Sequence, residues 1–315
     1  LVMHFDFLDV SMYTSPLILY FYVSAVWMYT FLKQCIRSIY SAKMFVATDI
    51  FFTLLFLSQV IFFVVILDLK ITGILLGYAL SNTLVLLYWV VYKKLYIYFD
   101  WKLLNFNFIK ELLKYSLPLV PNTPNLWSIN TLVKYFILIY LGIISNGIFA
   151  IAFKIGFIIQ MINGIFNKAW QDKAISSYRL KLFKQTINPL FQKYFVLFSS
   201  MTLGLISSQW IIVNYMIEKG FQEASNYIWL VAIGFFFTGL ANFISVIYQC
   251  EKNTMAITIS SIIANVVLIC SALLIINRFS LYGASLAFLI GNLCLFLYRF
   301  NHVRRYVKLN VSFGY

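Results

Sequence analysis

Apolar residues in this sequence gather into long runs separated by short polar connections, most of them basic. Neither the period-2 alternation of a half-buried strand nor the one-sided stripe of a soluble helix describes these runs. Their length and lack of charge are what a helix needs to cross the hydrocarbon core of a bilayer. Window by window they predict nine spans, near residues 17–35, 45–67, 73–92, 116–141, 147–169, 194–215, 226–249, 255–277 and 281–300. The predicted fold class is all-α, a multi-span helical membrane protein. Two stretches between spans, Asn105 to Lys114 and Lys173 to Lys184, read as amphipathic helices on the cytoplasmic surface. Nothing resembles the alternating segments of an outer-membrane barrel, and no Gly-, Ser- or Pro-rich linker leads to a soluble domain.

An internal repeat organises the spans. The segment ITGILLGYALSNTLVLLY from Ile71 aligns without gaps on LYGASLAFLIGNLCLFLY from Leu281, an offset of 210 residues. Gly73 meets Gly283, Asn82 meets Asn292, and the small residues Gly77 and Ser81 meet Ala287 and Gly291, a ridge suited to close helix packing. Ile39-Tyr40 and Ile247-Tyr248 extend the match upstream, so the first three spans copy the last three. Spans four to six have no partner. A six-span ancestral unit therefore predicts a twelve-span, two-lobed parent, with residues 1–105 the second half of its first lobe and 106–315 its second lobe. On that reading residue 1 is a cut end about a hundred residues into the parent. A start at Met3 is the alternative, and the first residues do not read as a signal peptide.

Composition sharpens the topology. The chain of 315 residues is 62% hydrophobic and 11% charged, with a mean hydropathy of +0.87. If span ends alternate sides, one set of connections holds nineteen basic residues, from Lys33 to Lys308 and including Arg299, while the other holds Lys70, Lys219 and Arg278. The positive-inside rule then places the C-terminus in the cytoplasm. The net charge of +14 is explained by topology and anionic lipid, so no nucleic-acid partner is implied. The 32 Phe and 22 Tyr read as lipid-facing and interfacial residues. Cys35, Cys250, Cys270 and Cys294 lack metal or redox spacing and read as small buried side chains.

Two lysines, Lys134 and Lys154, fall inside spans. A lysine at a span centre costs about 2.5–3.5 kcal/mol on the translocon scale, so two at similar depth are expected to line a water- or ligand-filled interior. The alternative is that both extend outward, since each lies about six residues, roughly 9 Å, from the outer end of its span. Upstream of Lys134, Pro118, Pro121 and Pro124 recur with Asn122, Thr123 and Asn125 between them. Regular helix is not expected there: the run is either an irregular cytoplasmic start to the span or a broken helix lining a polar cavity. Thr123, Trp127, Asn130 and Lys134 share one helical face, a polar stripe within the membrane. Gln160, Asn163 and Asn167 are expected to bond to neighbouring helices. Arg37 ends the first span and is a candidate for bidentate contact with an anionic head group, or an ordinary topology determinant. Asp49 is the one acid entering a span, hence a candidate proton or cation site.

Enzyme chemistry finds little support. The only histidines, His4 and His302, lie outside the spans, the outer loops are short, and no P-loop is present. No cofactor or metal is expected.

The segments KYSLPLVPNTPNLWSIN, KYFILIYLGIISNGIFAIAFKI and FNKAWQDKAI resemble the Wzx-type oligosaccharide flippases of the multidrug/oligosaccharidyl-lipid/polysaccharide exporter superfamily. The matching residues are Tyr115, Ser116, Pro118 and Pro121; Lys134; Gly147, Phe149, Ala152 and Lys154; and Ala169, Trp170 and Gln171. The resemblance implies a twelve-helix MATE-like transporter that moves undecaprenyl-pyrophosphate-linked oligosaccharides from the cytoplasmic to the outer leaflet of a bacterial inner membrane. It implies service to lipopolysaccharide O-antigen or other polysaccharide biosynthesis, beside a polymerase and other assembly proteins. Lys134 and Lys154 are then cavity cations for the pyrophosphate and sugars, with Asn130, Arg37, Asn125 and Thr123 as further substrate contacts. Val133 stands where the family often has Asp, so an ion pair that would tune Lys134 is missing. A drug or cation antiporter of the same superfamily, and a membrane glycosyl or acyl transferase, are the alternatives.

Overall fold

A computed structural model describes residues 15–40, 42–98, 106–120, 122–178 and 181–307, and within them all side chains except those of residues 42, 98, 107, 122–127, 129–130, 181–182, 184–185 and 216. Every regular element among the described residues is helical, as the apolar runs predict. The chain divides into two compact units, Leu1–Asn105 and Phe106–Tyr315.

The first unit contains α1 (Pro16–Ile39), α2 (Ala42–Val60) and α3 (Lys70–Leu87). The last two run on into π-helical turns, Ile61–Ile66 and Tyr88–Tyr92. Proline at the first position of α1 has its ring already at helical φ and lacks only an N–H that would have no partner there.

The second unit opens with the short amphipathic α4 (Phe106–Ser116) and a 3-10 turn, Leu117–Leu119. The stretch Asn122–Ser177 breaks at Gly142, where φ is +85°, into α5 (122–141) and α6 (143–177). Only glycine reaches that φ without steric cost. Lys134 and Phe153 would lie about 28 Å apart in one continuous helix, yet the ammonium sits 4.2 Å from the ring centroid. The chain therefore folds back at Gly142. Next come α7 (Lys181–Met216), a 3-10 turn (Lys219–Ala224) and α8 (Ser225–Cys250). The stretch Thr254–Val303 breaks at Ser280, φ +50°, into α9 (254–279) and α10 (281–303). Here too the fold-back is physical: a Cβ on Gly283 would come within 2.6 Å of the Ile275 carbonyl oxygen.

Seven helices are long and apolar enough to cross a membrane, and two of them fold back, giving nine spans among the described residues. Two boundaries differ from the sequence reading. The fourth span starts at Asn122, after the 3-10 turn, and not at 116. Pro124 lies in the first turn of α5, where a missing N–H costs little, so the irregular backbone is shorter than the proline run suggested. The expected surface helix over 173–184 does not form as a separate element, because α6 continues to Ser177 and α7 begins at Lys181.

The repeat is visible in the packing. At an offset of 210, Gly73 and Gly283 both press against the preceding span: a Cβ at Gly73 would lie 3.1 Å from the Phe63 backbone. Asn82 and Asn292 both donate to the carbonyl four residues earlier, Tyr78 and Phe288, each at 2.8 Å. Tyr40 packs on Trp89 at 5.1 Å, and in the second copy Tyr248 donates to the Arg299 carbonyl at 3.0 Å. One further difference between the copies is an interhelical bond. Thr238 donates to Asn292 Oδ1 at 2.6 Å. Thr30, its counterpart at the 208-residue offset that relates Tyr40 to Tyr248, donates within its own helix, to the Val26 carbonyl, and Asn82 Oδ1 is buried without a partner.

Candidate functional site

The candidate site begins at the joint between α4 and α5. Each proline removes a donor and leaves a carbonyl to be satisfied elsewhere. Two threonines one turn apart on α9 do this: Thr254 donates to the Tyr115 carbonyl at 3.0 Å and Thr258 to the Pro118 carbonyl. The proline run is thus anchored on the α9 surface. From there the α5 backbone is helical, which keeps positions 123, 127, 130 and 134 on one face. The side chains of Thr123, Asn125 and Asn130 lie outside the described residues.

Lys134 is half-buried beside the fully buried Val133. Its ammonium lies over the Phe153 ring. That ring belongs to a triangle with Phe235 on α8 and Phe288 on α10, with centroids 5.0, 5.5 and 5.1 Å apart. The triangle closes because Gly234 has no side chain: a Cβ there would lie 2.7 Å from the Phe288 ring. Three helices thereby present an aromatic platform to a cation. The negative face of a π-system holds an ammonium without a formal anion, and no carboxylate pairs with Lys134 among the described residues.

Lys154 is the next residue after Phe153, about 100° around α6, and points elsewhere. It is exposed and lines an apolar cavity of about 490 Å³ with Ile158, Ile212, Ile217, Phe221 and Glu218. Lys134 rests on the aromatic triangle, and Lys154 opens toward α7 and the turn before α8.

Arg37 and Asp49 belong to the first unit. Arg37 occupies the last turn of α1 and is half-buried. Asp49 on α2 pairs with Lys33 of α1 at 2.5 Å and accepts a longer hydrogen bond, 3.5 Å, from Tyr29. The acid is therefore already neutralised by a neighbouring helix.

Several structural residues were hidden from sequence reasoning. Arg299, counted there among the basic cytoplasmic connections, is 1% exposed. Its guanidinium donates to Ser260 Oγ at 2.9 Å, Ser261 Oγ at 3.1 Å, and the carbonyls of Ala241 at 3.0 Å and Ile257 at 3.4 Å. It ties α8, α9 and α10 together with neutral acceptors. The adjacent serines inside an apolar span were the one available signal. Removing Arg299 leaves eighteen basic residues against three, so the charge bias stands. The Ala-Trp-Gln motif also has a packing role. Trp170 donates to the Phe243 carbonyl at 3.2 Å and stacks on its ring at 4.7 Å, while Gln171 donates to Gln249 at 2.5 Å. Asn163 accepts from Tyr194 of α7 at 2.6 Å, an interhelical bond of the expected kind, whereas Asn163 donates to Gln160 at 3.4 Å and Asn167 to Asn163 at 3.0 Å within α6. Among the described residues no three metal-ligating side chains cluster, and all four cysteines are free.

No protein-family profile matches the sequence, and no characterised protein matches it by sequence. Solved structures do match by shape. A MATE transporter from Vibrio cholerae superposes with a TM-score of 0.72 at 12% identity, over 90% of this chain and 68% of that one. An outward-facing multidrug resistance MATE family transporter of the MOP superfamily gives 0.71 at 13% identity, over 83% and 62%. A MATE point mutant gives 0.69 at 14% identity, over 82% and 62%. At these identities the likeness establishes the fold, an all-α MATE-like architecture. The chain spans about 62% of the length of the latter two structures.

Proposed function

We propose that this protein is a membrane transporter working by alternating access, and that its cargo is a polyprenyl-pyrophosphate-linked oligosaccharide moved from the cytoplasmic to the outer leaflet. The observation that carries the reading is Lys134, a cation inside a span with an aromatic face beneath it and no carboxylate partner among the described residues. A multiply charged anion entering low dielectric needs compensating positive charge, worth several kcal/mol at contact distance. Lys134 supplies it without first breaking an ion pair, and Lys154, one residue beyond Phe153 on α6, adds a second cation. The MATE-like fold supports transport, and the Tyr-Ser-x-Pro, Ala-x-Lys and Ala-Trp-Gln resemblance supports the choice of cargo. The basic bias of one set of connections supports a cytoplasmic C-terminus in the inner membrane.

The test is export of lipid-linked glycan in cells and flipping in proteoliposomes by Lys134→Ala and Lys154→Ala variants. Loss of both activities with normal membrane insertion supports the reading. Normal flipping by both variants removes the cation site from the mechanism.

A second reading, a drug or cation antiporter, draws on the multidrug resistance function named for one similar structure. It needs a membrane acid that exchanges protons or sodium, and Asp49 is held by Lys33. Proton- or sodium-driven cation efflux that disappears in Asp49→Asn would favour it.

A further inference from the structure

Beside the joint where the candidate site begins, the second unit has a groove of about 820 Å³ between α4 and the α8–α9 turn. Phe108, Leu112 and Pro118 supply its apolar wall, and Glu111, Lys114 and Lys252 its charges. Its setting constrains what fills it. On α4 the side chains of Phe106, Phe108, Ile109, Leu112 and Leu113 are all exposed, interleaved with Lys110 and Lys114. A helix with that composition lies in the headgroup layer with its apolar face in the acyl boundary. The groove is therefore bordered by lipid.

Its polar end carries a net positive charge. Glu111 sits three residues before Lys114, the spacing at which opposite charges on a helix meet. Two lysines against one carboxylate leave the groove with one positive charge in excess. Lys252 is held by a firm turn: its φ is +55°, and its backbone N–H donates to the Gln249 carbonyl at 3.1 Å. The neighbouring Asn253 accepts from the Ala256 N–H at 3.2 Å and donates to the Tyr306 hydroxyl at 2.8 Å. An ammonium on a rigid turn and another on an interfacial helix, flanking an apolar trough, match a phosphodiester headgroup with the first carbons of its acyl chains.

We propose that this groove binds the headgroup of an anionic glycerophospholipid, with its phosphate between Lys114 and Lys252. Tyr115 and Pro118 also line the groove, and their carbonyls are the ones Thr254 and Thr258 hold. A lipid joining α4 to the α8–α9 turn braces the joint from which α5 carries Lys134 into the membrane.

The full chain, purified in detergent, is titrated with phosphatidylglycerol or phosphatidylcholine and bound lipid is counted by native mass spectrometry. Retention of phosphatidylglycerol over phosphatidylcholine is expected, weakening roughly fivefold for each of Lys114→Gln and Lys252→Gln. Glu111→Gln should strengthen retention, and Lys110→Gln, outside the groove, should leave it unchanged. Equal retention of the two lipids, or unchanged retention in the Lys114→Gln/Lys252→Gln double variant, overturns the proposal. Displacement of the lipid by inorganic phosphate at equal concentration overturns it in favour of a free-anion site.

Discussion

Lys134 and Phe153 meet across the fold-back at Gly142, ammonium over ring face, 4.2 Å from the centroid. The contact joins α5 to α6 and sets where the membrane cation sits. Phe153→Leu keeps the charge and removes the π-face, at a cost of about 1 kcal/mol for a half-buried pair. The expected outcome is a roughly fivefold higher half-saturating substrate concentration with the maximal rate largely kept, measured by flipping in proteoliposomes. Phe153→Tyr, which keeps the face, should behave like the parent protein. An unchanged Phe153→Leu would show that the ring does not position the cation.

Arg299 should be more sensitive to charge-conserving than to apolar replacement. In Arg299→Met the serines keep partners, because Ser260 and Ser261 already donate to the Ile257 carbonyl. Arg299→Lys leaves a buried ammonium that cannot span four acceptors on two helices. Breaking such a buried set costs about 3–5 kcal/mol. Thermal unfolding in detergent should show a lower melting temperature for the lysine variant than for the methionine variant. The reverse order would contradict the buried guanidinium held by four acceptors.

The repeat supplies an internal control. Thr238→Val removes the donor to Asn292 and should cost about 0.6–1.7 kcal/mol, the range of interhelical hydrogen bonds in membranes. Thr30→Val, at the corresponding place, removes only a bond within an exposed helical turn and should leave the melting temperature unchanged. Equal effects at both sites would mean that the asymmetry between the copies carries no energy.

Tyr178 follows the spans and donates to Glu251 in a short hydrogen bond. Burial, then the bond to Glu251 and its charge, push the phenol above its ordinary value of 10.0. Because the folded chain favours the protonated form, the contribution is complete below about pH 10 and is lost as pH rises further. Thermal unfolding followed from neutral to strongly alkaline pH should show the parent losing more stability than Tyr178→Phe. Parallel curves would remove Tyr178 from the alkaline transition.

Sequence determined the class of fold and most span positions, because a bilayer demands long apolar helices and leaves few other solutions for a chain this hydrophobic. The repeat was equally legible: Gly73 and Gly283 keep one side-chain size at one offset because backbones touch there. Lys134 was visible for the same reason, since a charge is rare in an apolar run. Its partner was not. Which ring lies beneath it depends on the fold-back at Gly142 and on the notch at Gly234 that admits Phe288, contacts between residues far apart in the chain. Arg299 shows the other direction of failure, for a basic residue at the end of a span normally faces the cytoplasm. Only the close packing of α8, α9 and α10 buries it, and only their backbone carbonyls and two serines make that burial affordable. Periodicity and hydropathy report each helix's relation to the bilayer, whereas the tertiary structure alone decides which helix faces meet.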